Sequence, residues 1–208
     1  MIKRSIQIPI NDFFLEGFLT LPLNTKGLVI FAHGAGSSRY SPRNTYVAEV
    51  LQKEGLCTLL FDLLTEKEDA IYETRFDIKL LTQRLEKVTL WVKSQQEFGH
   101  FKIGYFGSST GAAALNAAVE FGEKISSIVS RGGRPDLATS LEEVKSPTLL
   151  IVGEKDLEVI KLNKIAYEQI VAKKELKIVK KATHLFEKPG TLEEVAHLAS
   201  KWFKKYLL

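Results

Sequence analysis

The residues best suited to chemistry are a serine and the two glycines around it. Residues 107–111 read Gly-Ser-Ser-Thr-Gly, with Ser109 at the centre. An apolar run precedes this motif directly, and an alanine-rich helical pattern follows it. A G-x-S-x-G motif between a strand and a helix is typical of a sharp turn that presents the serine hydroxyl above a sheet, at the positive end of the helix. The pattern predicts Ser109 as a nucleophile, and a glycine-rich turn without chemistry is the alternative.

A serine hydroxyl is a weak nucleophile and needs a base, for which the chain offers four histidines. His184 follows the last predicted strand, so its loop and that of Ser109 should lie at the same edge of an open sheet. His100 lies in a polar loop, and His197 lies inside the last predicted helix. His33 begins a glycine-rich loop, where we expect its ring to brace the backbone. His184 is therefore the predicted base.

The base must be oriented by a third group, which is commonly a carboxylate. Asp156 comes just past the apolar strand predicted over residues 148–152, before the next helical stretch. It is the preferred partner of His184. Asp136 and Asp62 also follow predicted strands and are the alternatives, and Asp136 is equally well placed to cap a short helix.

Acyl transfer also needs hydrogen-bond donors for the oxyanion that develops on the substrate. The loop at residues 33–38 follows the third predicted strand and contains two glycines, which let backbone N–H groups turn inward. We predict that the N–H groups of Ala35 and Thr110 form this oxyanion hole.

Two arginines follow the sixth predicted strand, near the same crevice. Arg131 and Arg134 are candidates for binding a carboxylate or phosphate of the substrate. The alternative for each is a structural ion pair, with Asp136 or Asp62 as the partner.

The elements that position these residues alternate along the chain. Short apolar, β-branched runs are separated by longer amphipathic stretches, which is typical of βαβ units. The pattern predicts an α/β fold with a doubly wound, mostly parallel sheet of eight strands, flanked by about six helices. The first two strands should pair antiparallel. We also predict one long helix over residues 73–96 and a last helix that begins with a capping box at Thr191.

Whole-chain properties restrict the classes of protein. The 208 residues fit one domain, residues 1–208, and the 45% hydrophobic content suits a globular core. The net charge of +4 is spread along the chain, so we expect no nucleic-acid partner. No signal peptide and no apolar run of roughly 18 residues is present, so we expect a cytoplasmic protein without membrane contact, as a monomer or homodimer. The histidines lack close metal-ligand spacing, and no cofactor is expected.

The chain order Ser109, Asp156, His184 resembles that of the α/β-hydrolase superfamily, and the resemblance covers essentially the whole chain. The small size and the lack of a cap insertion resemble the dienelactone hydrolase-like branch. Residues 61–65 and 130–136 are similar to an uncharacterised subgroup of that branch. Some members of the subgroup are fused to a phosphoribosyltransferase domain that these 208 residues do not include.

The resemblance implies a metal-free hydrolase that acts on carboxylic esters through an acyl-enzyme. Dienelactone hydrolases proper use a cysteine nucleophile, whereas this chain has Ser109 in that position, and Cys57 lies in a predicted strand far from the motif. We therefore predict a serine variant, an esterase that accepts short acyl esters of small molecules in an open cleft. The alternatives are a lactone or dienelactone hydrolase, a thioesterase, a small peptidase, an acyltransferase, or a binding module without turnover.

Overall fold

Each predicted apolar run forms a strand in the computed structural model, which describes residues 1–109 and 112–208. Within those residues the strands form one eight-stranded sheet in the order β1-β2-β4-β3-β5-β6-β7-β8. The strands are β1 Ile2–Ile10, β2 Phe13–Leu21, β3 Gly27–Ala32, β4 Cys57–Phe61, β5 Lys102–Ser108, β6 Ile125–Arg131, β7 Thr148–Gly153 and β8 Lys174–Val179. β2 pairs antiparallel with β1 and β4, and all other neighbours are parallel. The predicted mostly parallel sheet with an antiparallel start is confirmed.

Helices cover both faces of this sheet. Their bounds are α1 Pro42–Lys53, α2 Glu66–Asp69, α3 Ile78–Ser94, α4 Ala112–Phe121, α5 Leu157–Gln169 and α6 Thr191–Leu207. α1 packs beside α6 on one face, and α3 packs beside α4 on the other. No helix in the described part of the chain is long and apolar enough to cross a membrane.

The burial of the central strand β3 explains why its sequence is a continuous apolar run. All six of its residues are buried. Leu28 and Ile30 belong to the apolar cluster beneath α3 and α4, whereas Val29 and Phe31 belong to the cluster beneath α1 and α6. A strand that is covered on both faces has no solvent side, so its sequence does not alternate.

The strand order creates a crevice beside β3. The neighbouring parallel strands β3 and β5 lead into α1 and α4, which lie on opposite faces of the sheet. Loops that diverge in this way leave a gap at the carboxyl ends of the strands, which is where open α/β sheets bind ligands. Between β6 and β7 the described chain forms only the short 3₁₀ turns Pro135–Leu137 and Leu141–Glu143, so no cap domain covers the gap.

The helix predicted over residues 73–96 is not continuous. A 3₁₀ turn, Glu73–Phe76, ends at Asp77, whose backbone is not helical (φ −72°, ψ 86°). The Asp77 carboxylate then accepts the Leu80 N–H at 2.9 Å and caps α3. An aspartate that competes for backbone N–H groups in this way starts a new helix and does not extend the previous one.

The capping box predicted at Thr191 is wrong. Thr191 is the first residue of α6, and its hydroxyl donates to the Lys188 carbonyl oxygen at 2.7 Å. Gly190, with φ +84°, occupies the capping position because glycine adopts this left-handed backbone easily. A reciprocal capping box does form at Thr65 and Glu68 of α2.

Candidate active site

Ser109 has the strained backbone of a sharp strand-to-helix turn. It follows β5 directly, and its φ of +57° lies in the left-handed region that residues with a side chain rarely adopt. Two backbone hydrogen bonds hold it there: its N–H donates to the Arg131 carbonyl at 3.2 Å, and its carbonyl accepts the Arg134 N–H at 2.8 Å. Strain of this kind persists only where surrounding contacts fix it.

The loop after β3 lies against the Ser109 side chain. A Cβ atom built on Gly34 would lie 2.8 Å from the Ser109 Cβ and 3.6 Å from its Oγ. The Ser37 N–H closes a turn onto the Gly34 carbonyl at 3.1 Å, and Gly36 takes a φ of +65°. Ala35, a predicted oxyanion donor, follows Gly34 inside this turn. The other predicted donor, Thr110, lies outside the described residues.

His33 braces this loop, as the sequence predicted. Its ring is buried, and its Nε2 accepts the Leu63 N–H at 2.9 Å. Nδ1 therefore holds the ring proton and donates to the Gly34 carbonyl, 2.9 Å away. Burial lowers the pKa of His33, which favours this neutral form. The ring thus links the loop to the residues that follow β4.

His184 and Asp156 are hydrogen-bonded. Nδ1 of His184 lies 2.6 Å from Oδ2 of Asp156. The Asp156 side chain is 15% exposed, whereas that of His184 is 41% exposed and so reaches solvent. Asp156 occupies the capping position of α5, yet its side chain does not cap that helix. Its carboxylate is directed to the imidazole instead.

The two alternative aspartates are bound elsewhere. Arg134 donates two hydrogen bonds of 2.8 Å to the Asp136 carboxylate. Asp62 accepts the Arg39 backbone N–H at 2.6 Å and forms an ion pair with the guanidinium of the same residue. Each carboxylate therefore already has a cationic partner. Of the two roles predicted for Arg134, the structure shows the ion pair.

The remaining histidines lie away from this region. His100 is exposed and packs edge-on against the Phe101 ring, and His197 is exposed on α6. In the described parts of the chain, no three His, Cys, Asp or Glu side chains are grouped so as to hold a metal ion.

A short segment after β6 binds the serine turn and passes beside the histidine loop. The backbone groups of Arg131 and Arg134 bind Ser109, as described above. Between them, Gly132 takes a φ of +53° and donates its N–H to the Ile151 carbonyl at 2.8 Å. A Cβ on Gly132 would lie 3.5 Å from Nδ1 and Cε1 of His184. The position of residues 131–134 against the serine turn was not predicted from the sequence, although their pattern of two adjacent glycines between two arginines was a recognisable signal.

Arg131 is buried beside the serine turn. Its Nη2 is 3.5 Å from Oδ1 of the buried Asn44, whose Nδ2 lies 3.5 Å from the Ser108 hydroxyl oxygen. Its guanidinium lies 5.8 Å from the centre of the Phe186 ring, two residues after the predicted base. Burial, together with the nearby Arg43, lowers the pKa of Arg131 to about 10, so the side chain is still charged at neutral pH.

Curated relatives match nearly the whole chain, although no family model matches it. Two Mycobacterium tuberculosis proteins, from strains CDC 1551 and H37Rv, are 52% identical over 206 residues, which is 98% of this chain. Both are provisionally named phosphoribosyl transferases. The chain spans only about half the length of these relatives, 46%.

Several solved structures match this chain over nearly its full length. The crystal structure of a dienelactone hydrolase from Anabaena variabilis is 52% identical, with a TM-score of 0.97, over 100% of this chain and 99% of that one. A serine hydrolase without a lid from Xanthomonas campestris (19% identity, TM-score 0.81, 99% and 95% coverage) shares the fold. An esterase from Pyrococcus furiosus also shares the fold, with 21% identity and a TM-score of 0.78 over 100% of this chain and 94% of that one. The chain therefore belongs to the dienelactone hydrolase-like branch of the α/β-hydrolase superfamily.

Proposed function

We propose that this hydrolase cleaves carboxylic esters of small molecules through an acyl-enzyme, with Ser109 as nucleophile, His184 as base and Asp156 as the orienting carboxylate. The observation that supports this most directly is the 2.6 Å contact between His184 Nδ1 and Asp156 Oδ2. It occurs in a fold where the segment at residues 131–134 is hydrogen-bonded to the serine turn and passes beside the imidazole.

The hydrogen bond to Asp156 defines the chemistry of the imidazole. When Nδ1 of His184 donates to the carboxylate, Nε2 is the acceptor for the Ser109 hydroxyl proton. Attack of the Ser109 oxygen on the acyl carbon then forms a tetrahedral oxyanion. His184 passes the proton to the leaving alkoxide, and a water molecule repeats the cycle to release the acid.

The oxyanion would be bound by the backbone N–H groups of Ala35 and Thr110. The contact between Gly34 and Ser109 supports this assignment, because it places the turn that contains Ala35 beside the nucleophile. Each such donor contributes about 3–4 kcal/mol to transition-state stabilisation.

A cysteine nucleophile is disfavoured by the burial of Cys57. Cys57 lies in the core strand β4 with no exposed surface, and burial raises the pKa of its thiol far above the usual range. A thiol that does not ionise is a poor nucleophile. The reactive group in our proposal is therefore the Ser109 hydroxyl.

The uncovered crevice supports the proposed substrate class. Since the β6–β7 connection adds only two short turns, the site suits short acyl esters, and lactones, thioesters or small peptides are alternatives on the same residues. The transferase name of the curated relatives concerns proteins about twice as long as this chain. The His184–Asp156 pair, in a fold with a strained serine turn, favours hydrolysis as the activity of these 208 residues.

Hydrolysis of p-nitrophenyl esters with acyl chains of two to twelve carbons tests this proposal. We expect wild type to cleave the short esters best. Ser109→Ala should reduce kcat by at least about 10³-fold, because the covalent step is lost. The control Ser94→Ala, on the exposed end of α3, should retain full turnover. Equal turnover by wild type and Ser109→Ala would refute the proposal.

A further inference from the structure

The Arg131 side chain approaches the first turn of α1, which contains a second arginine, on the side of the sheet covered by α1 and α6. Arg131 is 7% exposed, and its Nη2 approaches Asn44, the third residue of that helix. Arg43 is the second residue of the same helix and is close enough that its charge lowers the pKa of Arg131. The amino end of α1 adds the positive end of a helix dipole to these two charges.

These positive charges lack a counterion within the described residues. Neither Arg43 nor Arg131 forms an ion pair with a described carboxylate, and the Nε of each is buried without a hydrogen-bond partner. The first turn of α1 contains no acidic residue. The Nε atoms of Arg39 and Arg84 are also buried without a partner, but each of those two guanidinium groups forms an ion pair with a carboxylate. A buried cation is costly unless an anion accompanies it, so this cluster is incomplete without one.

We propose that Arg43, Arg131 and the first turn of α1 form a binding site for a phosphate group, beside Ser109 and separate from it. Two guanidinium groups and a helix end match a doubly charged anion better than a singly charged one. The planar fork of an arginine binds two phosphate oxygens at once. In the first turn of α1, Pro42 has no N–H and the Asn44 N–H donates to the Ser41 hydroxyl at 3.4 Å, so the backbone donor available to a phosphate there is the Arg43 N–H. The half-buried Arg43 leaves the cluster open to solvent on its side.

Contacts connect this cluster to the serine turn. Asn44 lies between the Arg131 guanidinium and the Ser108 hydroxyl, at 3.5 Å from each. The backbone carbonyl of Arg131 also accepts the Ser109 N–H. The phosphate is either free in solution or a group of the ester substrate itself. Because the site is defined by binding, it is testable whether or not the chain hydrolyses esters.

Thermal unfolding of the full chain with inorganic phosphate, against sodium chloride of equal ionic strength, measures this binding. For wild type we expect Tm to rise by about 3–6 °C at a phosphate concentration ten times Kd, with no rise in chloride. Arg131→Met and the more exposed Arg43→Met should each weaken phosphate binding by about tenfold or more in calorimetric titration. Arg134→Met is the matched control, since the Asp136 carboxylate already neutralises Arg134, and it should bind as wild type does.

A Tm that rises equally in chloride, or full binding in Arg43→Met, would overturn the proposal. The source of the phosphate is distinguished by comparing KM for an aryl ester that contains a phosphate group with KM for its neutral analogue. If KM for the phosphate-bearing ester alone rises about tenfold in Arg43→Met, the bound phosphate is a group of the substrate. If inorganic phosphate binds without that change in KM, the ligand of the site is the free phosphate anion.

Discussion

The Cα of Gly34 lies so near Ser109 that a methyl group on it would stand 2.8 Å from the Ser109 Cβ. No relaxed pair of carbon atoms is this close, so the loop after β3 and the serine turn are in direct contact. The contact connects the proposed oxyanion loop to the proposed nucleophile. It depends on glycine because the Cβ of any other residue there would clash with the Ser109 Cβ.

Gly34→Ala should therefore reduce ester hydrolysis while the protein stays folded. The added methyl group displaces either the loop or Ser109, and a misplacement of about 1 Å typically costs about 10²-fold in rate. Steady-state kcat on a short p-nitrophenyl ester measures the loss.

Gly122→Ala is the matched control for that substitution. Gly122 has a φ of +55° with no atom near its added Cβ, so alanine there is strained and should lower the stability by about 1 kcal/mol. It should leave kcat unchanged. If both variants lose the same activity, the effect of Gly34→Ala is a general one of destabilisation.

Asp156→Asn should reduce kcat by about 10²–10⁴-fold at neutral pH. The amide no longer accepts the Nδ1 proton of His184 as a carboxylate does, so the imidazole loses its tautomer and its electrostatic support. The control is Asp136→Asn, since Asp136 pairs with Arg134 and not with a histidine. A similar kcat for Asp156→Asn and wild type would reject Asp156 as the orienting group.

Stability should fall in mild acid because of His33. Burial lowers the pKa of His33 in the folded protein below its value in the unfolded chain. At pH values between these two pKa values, the unfolded chain therefore binds more protons than the folded protein does. The contribution of His33 is then fully present above the unfolded pKa of about 6.5 and is lost as pH falls toward the folded pKa. Urea unfolding of wild type and His33→Gln between pH 5 and 8 measures it. The difference in unfolding free energy between the two proteins should shrink as pH falls, and a constant difference would contradict this account.

Thiol reagents should not inhibit the hydrolase. Cys57 is buried in β4, and its raised pKa keeps the thiol protonated. Iodoacetamide should leave ester turnover intact, and Cys57→Ala should cost stability by leaving a small cavity but retain activity. Inactivation by iodoacetamide in wild type, together with its absence in Cys57→Ala, would instead assign the cysteine a role at the site.

Local patterns predicted the strands well because apolar runs reflect burial on both faces. The apolar run predicted as a strand at residues 148–152 forms β7, Thr148–Gly153, and the Gly-Ser-Ser-Thr-Gly motif predicted the sharp turn at Ser109, where φ is +57°. Side-chain competition for backbone groups was harder to predict. Asp77 interrupts a helical pattern that periodicity alone would continue, and Gly190 takes the capping position expected for Thr191.

Contacts between distant residues were the least predictable part of the candidate site. The pairing of Asp62 with Arg39, and of Arg131 with Asn44, joins residues 23 and 87 positions apart. No sequence spacing indicates such pairs, because the sheet order brings them together. The choice of Asp156 over the other aspartates rested on its position between a strand end and the next helical stretch, and its contact with His184 depends on how the loops after β7 and β8 turn.

Labelling with a fluorophosphonate probe, with the adduct located by peptide mass spectrometry, tests the central claim most directly, because the probe reacts with activated serines far faster than with ordinary hydroxyl groups. We predict a single adduct on Ser109, lost in Ser109→Ala, strongly slowed in Asp156→Asn and retained in Cys57→Ala. An unlabelled wild-type protein, or an adduct on another residue, would contradict the assignment of Ser109, His184 and Asp156 as the catalytic residues.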